Sequence, residues 1–193
     1  MDLTIATGNR HKVAEMSLIL KKFGVNLLHE NPRIVEPDFD TLEEIAEYKA
    51  RQAYEHLGTA VVAEDTGVFF GAYNNFPGPL AKRVYLGIGF PGLLLLIRNA
   101  KKKAAHFKTV VHYFDGVESA SFSGELHGSL LDDAVSIEKD RLPYEKIFVP
   151  KGFDVALADL PIEKKNEISH RAIATKKLGE WLGEQQLRMT NHL

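Results

Sequence analysis

The chain has no cysteine. That removes disulfides and thiolate-held metals and suits a reducing compartment. It has no excess of positive charge. With 24 Lys and Arg against 26 Asp and Glu, the formal net charge is −2, so the electrostatic footprint of a duplex-binding protein is missing. Charges of both signs are interspersed, and the one basic run, Lys101-Lys102-Lys103, reads as a solvated loop ahead of a strand. No apolar stretch is long enough to cross a bilayer, and the longest, Gly87–Ile97, contains Pro91. Internal repeats and low-complexity linkers are also missing, as are histidine pairs at zinc spacing and the G-x-x-x-x-G-K-[S/T] phosphate loop. Met1 leads straight into a strand pattern, so no signal peptide is expected. What remains is a cytoplasmic protein whose 193 residues fit one domain, 1–193, with a core of its own.

What is present begins with Leu3–Glu15. Leu3–Ala6 has strand character, Thr7-Gly8-Asn9 breaks it, and helical spacing follows with Val13, Met16, Ile19 and Leu20. A strand, a small-residue turn and a helix start are the parts of an anion site, because the first N–H groups of a helix lack internal partners. Lys12 would add a full charge. The same residues also suit a plain strand–helix turn capped by Asn9. Phe23-Gly24 closes this helix, and Val25–Leu28 reads as a second strand. Thr41 with Glu44 forms a capping box that opens a helix running to Leu57 and stopped by Gly58. On that helix Leu42, Ile45, Ala46, Ala53 and Leu57 share a face, and Lys49 falls within it. An inward ammonium either pairs with a core carboxylate or lines an anion cleft.

Ala60–Ala63 reads as a buried strand delivering Glu64-Asp65-Thr66-Gly67 at its carboxyl end, where open α/β sheets collect ligands. Pro91–Asn99 reads as a short helix, and Ala104–Phe114 and Ser119–His127 as a hairpin turning at Asp115-Gly116. Leu142–Val149 is a further apolar segment. Pro161 marks a helix start, and Ser169 caps a last helix to Leu182, followed by a polar tail expected to fray. The alternation predicts an α/β fold with a mixed sheet. Lys12, Lys49, Asp65 and the run Lys165–Arg171 need a common account. Several cations with two helix starts imply a ligand bearing more than one negative charge. Carboxylates among them suggest a divalent ion, and magnesium fits best. His170 alone suits a hydrogen-bonded histidine as well as a catalyst.

Five motifs in order make the sequence resemble the inosine triphosphate pyrophosphatase family over nearly its whole length. T-G-N-x-x-K stands as Thr7-Gly8-Asn9-Arg10-His11-Lys12. E-x₇-E-x-A-x-x-K-A stands as Glu36, Glu44, Ala46, Lys49 and Ala50. E-D-[S/T]-G is Glu64-Asp65-Thr66-Gly67. The P-G segment with following cations is Pro77-Gly78 with Lys82 and Arg83. K-x-x-[I/V]-S-H-R is Lys165, Ile168, Ser169, His170 and Arg171. The resemblance implies an elongated α/β molecule with two lobes around a central mixed sheet, an active cleft between the lobes, and a homodimer. It implies magnesium-dependent hydrolysis of nucleoside triphosphates, chiefly of deaminated purines (ITP, dITP and XTP), to a monophosphate and pyrophosphate. Neither a nucleic-acid polymer nor a membrane is an implied partner.

The resemblance also implies roles. Thr7, Gly8, Asn9, Lys12, Lys49 and Thr66 would hold the triphosphate. Glu36 and Asp65 would hold magnesium, with Asp65 orienting or deprotonating the attacking water. Lys82 or Arg83 would face the leaving pyrophosphate. Lys165, His170 and Arg171 would contact the base or a nearby phosphate. The family's aromatic-Gly-[Tyr/Trp]-Asp-Pro segment, which stacks on the base and reads its edge, is replaced here by Leu142-Pro143-Tyr144-Glu145-Lys146, and Ile45 stands where the family usually has Asn. Tyr144 and Glu145 are the corresponding base-binding candidates. Leu142 cannot stack as an aromatic does, so the phosphate and metal chemistry reads as intact while the base preference stays open. Two other readings follow: a pyrophosphatase for pyrimidine or modified nucleotides, as in the septum-formation inhibitor family, and a nucleotide-binding relative with little turnover.

Overall fold

The computed structural model describes residues 1–35 and 37–190, with side chains through Arg188; the expectation for Glu36 lies outside them. Among the described residues seven strands and five α-helices follow one another. They are β1 (Asp2–Ala6), α1 (Arg10–Leu20), β2 (Asn26–Glu30), α2 (Leu42–Leu57), β3 (Val61–Phe70), β4 (Pro77–Gly78), α3 (Ala81–Asn99), β5 (Ala104–Phe114), β6 (Ser119–Leu130), β7 (Phe148–Pro150), α4 (Ile162–Ile168) and α5 (His170–Thr190). The strands hydrogen-bond in the order β2-β1-β3-β5-β6-β7, with β4 on β3. β1 pairs parallel with β2 and β3, while β3–β4 and β6–β7 are antiparallel. The expected mixed α/β sheet is therefore present. Among the described residues no helix is long and apolar enough to cross a membrane.

The contacts divide into two compact units. The first comprises Met1–Asp65, Thr109–Gly124 and the chain from Ser169 onward. Its main core gathers Leu3 and Ile5 of β1, Met16 and Leu20 of α1, Val62 of β3, Val111 and Tyr113 of β5, and Ala174, Leu178 and Leu182 of α5. A smaller cluster joins Ala6, Val61 and Ala53 of α2. Trp181 packs its indole against Tyr113 and Phe122 at centroid distances of 5.0 and 5.5 Å. The second unit, Thr66–Lys108 and Glu125–Ile168, is centred on Phe70, Leu93, Ile97, Phe107, Ile147, Phe148 and Leu157.

Local chemistry explains most element ends. Thr41 Oγ1 accepts from the Glu44 N–H at 3.2 Å, and its own hydroxyl donates to Glu44 Oε2 at 2.6 Å; the first bond is the N-cap half of the expected capping box, and the Glu44 carboxylate returns to the Thr41 hydroxyl in place of its backbone N–H. Gly58 ends α2 with a positive φ of 64°, which glycine adopts without a Cβ penalty. Ser169 Oγ accepts from the Ala172 N–H at 3.1 Å and caps α5.

The helix expected over Pro91–Asn99 is present as the second of two helical segments that α3 joins across a kink at Gly89, which has φ 57°; the segment from Ala81 to the kink is additional, and Pro91 sits in the first turn of the second segment, where no N–H is needed. Three expectations need correction. β2 starts one residue later than expected and ends at Glu30. α5 continues through Gln185 to Thr190 instead of fraying after Leu182. Glu64 and Asp65 lie inside β3 and not at its end, because Val68 and Phe69 go on to pair with Gly78 and Pro77. Pairing with β1 stops at Val62, so the acidic pair still lies past the end of its parallel neighbour.

Gly124 of β6 lies against α5, and a Cβ there would meet the His170 carbonyl oxygen and, at 2.7 Å, the Ala174 nitrogen. Backbone cannot yield as a side chain can. Gly124→Ala is expected to cost about 1–3 kcal/mol of stability, read as a lower urea midpoint.

Candidate active site

The turn after β1 is held by its own side chains. Thr7 Oγ1 accepts from the Asn9 N–H at 3.1 Å, and Asn9 Oδ1 accepts from the N–H groups of His11 (3.0 Å) and Lys12 (3.4 Å). Asn9 is thus the cap of α1. Gly8 is approached by Asn31, whose Oδ1 is 3.3 Å from where a Cβ would stand. Lys12, one turn into the helix, extends its ammonium to the Glu64 carboxylate.

Glu64 and Asp65 are neighbours in sequence and opposites in environment. Successive side chains of a strand point to opposite faces. Val62 belongs to the core formed with α1 and α5, and Val61 to the cluster with α2; Glu64 follows Val62 and Asp65 follows Val61. Glu64 is only 2% exposed and meets Lys12 of α1 and, at 3.5 Å, Arg171 Nε of α5. Burial acts to raise its pKa, but the charges of Lys12, Arg171 and Lys49 outweigh it and hold the carboxyl at about 2. The side chain of Asp65 is 16% exposed and accepts from Lys49 Nζ of α2 at 3.2 Å. The same ammonium donates to the Glu64 carbonyl at 3.1 Å. For Asp65 burial wins: its pKa lies above the ordinary 3.8, against the opposing pull of Lys49 and Lys12 and with help from the Glu64 charge. Environments that drive two carboxyl groups apart are how sites separate a fixed charge from a working base.

The closing motif is divided between two helices. Arg171 is buried, and its guanidinium also bonds Glu15 of α1. His170 is buried with Nδ1 2.6 Å from Thr109 Oγ1. Both lie in the first unit, together with Thr7, Gly8, Asn9, Lys12, Lys49 and Asp65. Lys165, on α4, belongs to the second unit. There it forms a buried ion pair with Glu145 at 2.7 Å. Tyr144, beside it, is buried in that unit's core and donates its hydroxyl to the Ala81 carbonyl at 2.8 Å. Thr66 continues β3 in partial burial, and Lys82 is exposed on the first turn of α3.

Sequence reasoning missed Glu15. The available signal was its place four residues before Ile19, at the edge of the apolar stripe of α1, where a carboxylate needs a cation. The donors around Asp65 suit magnesium: they are carboxylate oxygens, and this ion needs only one or two of them alongside phosphates and water. Among the described residues no three His, Asp or Glu side chains are grouped as an all-protein metal cage would require.

Glu64→Gln would take the buried carboxylate away from Lys12 and leave Arg171 with less compensating charge. Breaking a buried pair costs about 3–5 kcal/mol, so a loss of that order is expected in urea titrations at neutral pH. The depressed pKa fixes the sign with pH. The contribution of Glu64 is complete above its unperturbed 4.5 and disappears as pH falls toward about 2. The stability gap between the wild type and the variant is expected to close over that window.

Residues 3–181 match the model of the Ham1 family. A dITP/XTP pyrophosphatase of Methanopyrus kandleri is 37% identical over 94% of this chain and 96% of its own length. That of Thermococcus kodakarensis is 35% identical over 95% and 98%. Among solved structures, a HAM1 protein from Coxiella burnetii superposes with a TM-score of 0.84 at 25% identity, covering 95% of this chain and 99% of that one. A nucleoside-triphosphatase, or dITP/XTP pyrophosphatase, from Mycobacterium abscessus gives 0.73 at 27% identity over 92% and 97%. Motifs, topology and these likenesses agree along the whole length, and the chain belongs to the Ham1 family.

Proposed function

We propose that this protein hydrolyses ITP, dITP and XTP to the nucleoside monophosphate and pyrophosphate. Relatives named dITP/XTP pyrophosphatase match nearly its full length. The observation that carries the reading is the Asp65 carboxylate. It is partly open, raised in pKa, held by Lys49, and adjacent in sequence to the Glu64 that anchors Lys12. The Thr7–Lys12 turn and Lys49 bind the triphosphate, with Thr66 and Lys82 as further phosphate contacts. Water oxygen attacks the α-phosphorus, its proton passes to Asp65, and the bond from that phosphorus to the α–β bridging oxygen breaks, releasing pyrophosphate. Such a reaction depends chiefly on positioning and charge stabilisation. Magnesium, held by Asp65 and Glu36, supplies positive charge to the phosphate oxygens when bound.

The base is assigned to Lys165 and Glu145. Their buried ion pair presents an ammonium donor beside a carboxylate whose Oε2 has no hydrogen-bond partner among the described residues. A 6-oxo purine offers the complement, an acceptor oxygen next to an N–H. Adenine reverses both groups and would leave buried polar atoms unpaired, which is costly. Arg171, with its guanidinium on Glu15 and Glu64, is assigned to anchoring Glu64. His170 steadies the same helix start. The reading makes the protein a cytoplasmic homodimer; exposed Leu86, Ile88 and Leu95 of α3 supply apolar surface for a partner copy.

Pyrophosphate release with magnesium across ITP, XTP, GTP, ATP, UTP and dTTP tests the substrate. Preference for the first two is expected, and activity confined to a pyrimidine would reassign it. Asp65→Asn is expected to cut kcat by about 10²–10⁴-fold with the fold retained. The acid limb of kcat/KM is expected above the ordinary aspartate value of 3.8, and Lys49→Met, which removes an opposing cation, is expected to move it higher. Glu145→Gln should narrow the preference for ITP over ATP; an unchanged ratio would move base reading to other residues.

A further inference from the structure

The end of β2 runs beside the turn that follows β1. In the parallel register Ile5 faces His29 and Ala6 faces Glu30. Beyond the ladder, Thr7 is tied to β2 twice. Its N–H donates to the Glu30 carbonyl at 3.0 Å, and its carbonyl lies 2.7 Å from His29 Nε2. A carbonyl oxygen only accepts, so Nε2 carries the proton and donates. Asn31, two residues further on, sets its side-chain amide against Gly8. His29, Glu30 and Asn31 lie outside the T-G-N-x-x-K motif they hold.

We propose that His29 is a positioning residue for the phosphate-binding turn, its ring N–H holding the Thr7 carbonyl so that the Gly8 N–H faces a bound phosphate. The argument is the geometry of one peptide unit. In a trans peptide the amide hydrogen points opposite to the carbonyl oxygen. Fixing the Thr7 carbonyl toward His29 therefore aims the Gly8 N–H away from β2. The turn's own hydrogen bonds use the N–H groups of Asn9, His11 and Lys12 and leave that of Gly8 outside them. An anion at this turn gains from a donor fixed before it arrives, because binding then pays no ordering cost. His29 is exposed on an edge strand, so packing does not account for the contact.

This inference rests on the phosphate-binding reading of Thr7–Lys12. Its test uses inorganic tripolyphosphate with magnesium, bound to the whole protein and followed by calorimetry, alongside steady-state kinetics on the best wild-type substrate. His29→Leu and His29→Glu remove the donor, while His29→Gln keeps one at similar reach. Loss of the donor is expected to weaken tripolyphosphate binding and raise KM by about three- to tenfold, with kcat and melting temperature unchanged. His29→Gln is expected to restore most of both. Wild-type affinity in His29→Leu and His29→Glu overturns the proposal. So does an equal loss in His29→Gln, which would mean that the ring packs and does not donate. If the wild type binds tripolyphosphate but turns over no nucleotide, the enzymatic reading fails while this one is still decided by the binding series. If it binds no tripolyphosphate, the role of His29 falls with the turn's.

Discussion

An ionised carboxylate sealed inside the protein is the constraint on which the first unit depends. Glu64 has given up water, and the cost of that is repaid only by cations brought to it. Lys12 arrives from α1 and Arg171 from α5, and Glu15 of α1 closes the network by bonding the same guanidinium. Apolar packing between α1 and α5 is broad and non-directional. The charges add what packing lacks, a fixed register of two helix starts against one residue of β3. The turn before α1 and the cap of α5 inherit their positions from it.

The alternation of a strand turns this structural device into a chemical one. Placing Glu64 on the face shared with α1 and α5 puts Asp65 on the face of α2, where Lys49 waits. One carboxyl is held ionised to about pH 2 and the other is pushed toward protonation, although the two share a peptide bond. A one-residue slip of β3 would exchange them, burying Asp65 among the cations and exposing Glu64. The ladders on both sides, Ile5 with Val62 and Phe69 with Pro77, fix the register against that slip.

Much of this was legible from local signals. The cap at Thr41, the glycine stop at Gly58 and the strand Ala104–Phe114 follow from rules that act within a few residues, and each stands in the structure. Lys49 could be placed on an inward face, but its partner could not be chosen, because Asp65 lies sixteen residues away in the chain. Arg171 and Glu15 are separated by 156 residues, and no local pattern joins them. β3 outruns its local sequence signal for a related reason. Acidic residues and a glycine look like a strand's end until the antiparallel partner at Pro77-Gly78 is seen to carry it onward. Glu145 and Lys165 were each visible as candidates, yet their pairing belongs to packing alone.

The two lysines around Glu64-Asp65 already have carboxylate partners, and that limits what can bind there. A bare polyphosphate that drew Lys12 and Lys49 toward itself would leave two carboxylates facing its negative charge. A ligand that brings its own counter-cation avoids the conflict, since the ammonium groups can turn to phosphate oxygens while the carboxylates keep a positive neighbour. The exchange is cheap for Asp65, which is partly open and whose lysine lies at 3.2 Å. It is expensive for Glu64, whose buried charge also needs Arg171. Under the proposed function the asymmetry separates the two lysines by role: Lys49 would be the mobile contact, and Lys12 a shared one, bridging the Glu64 carboxylate and the ligand.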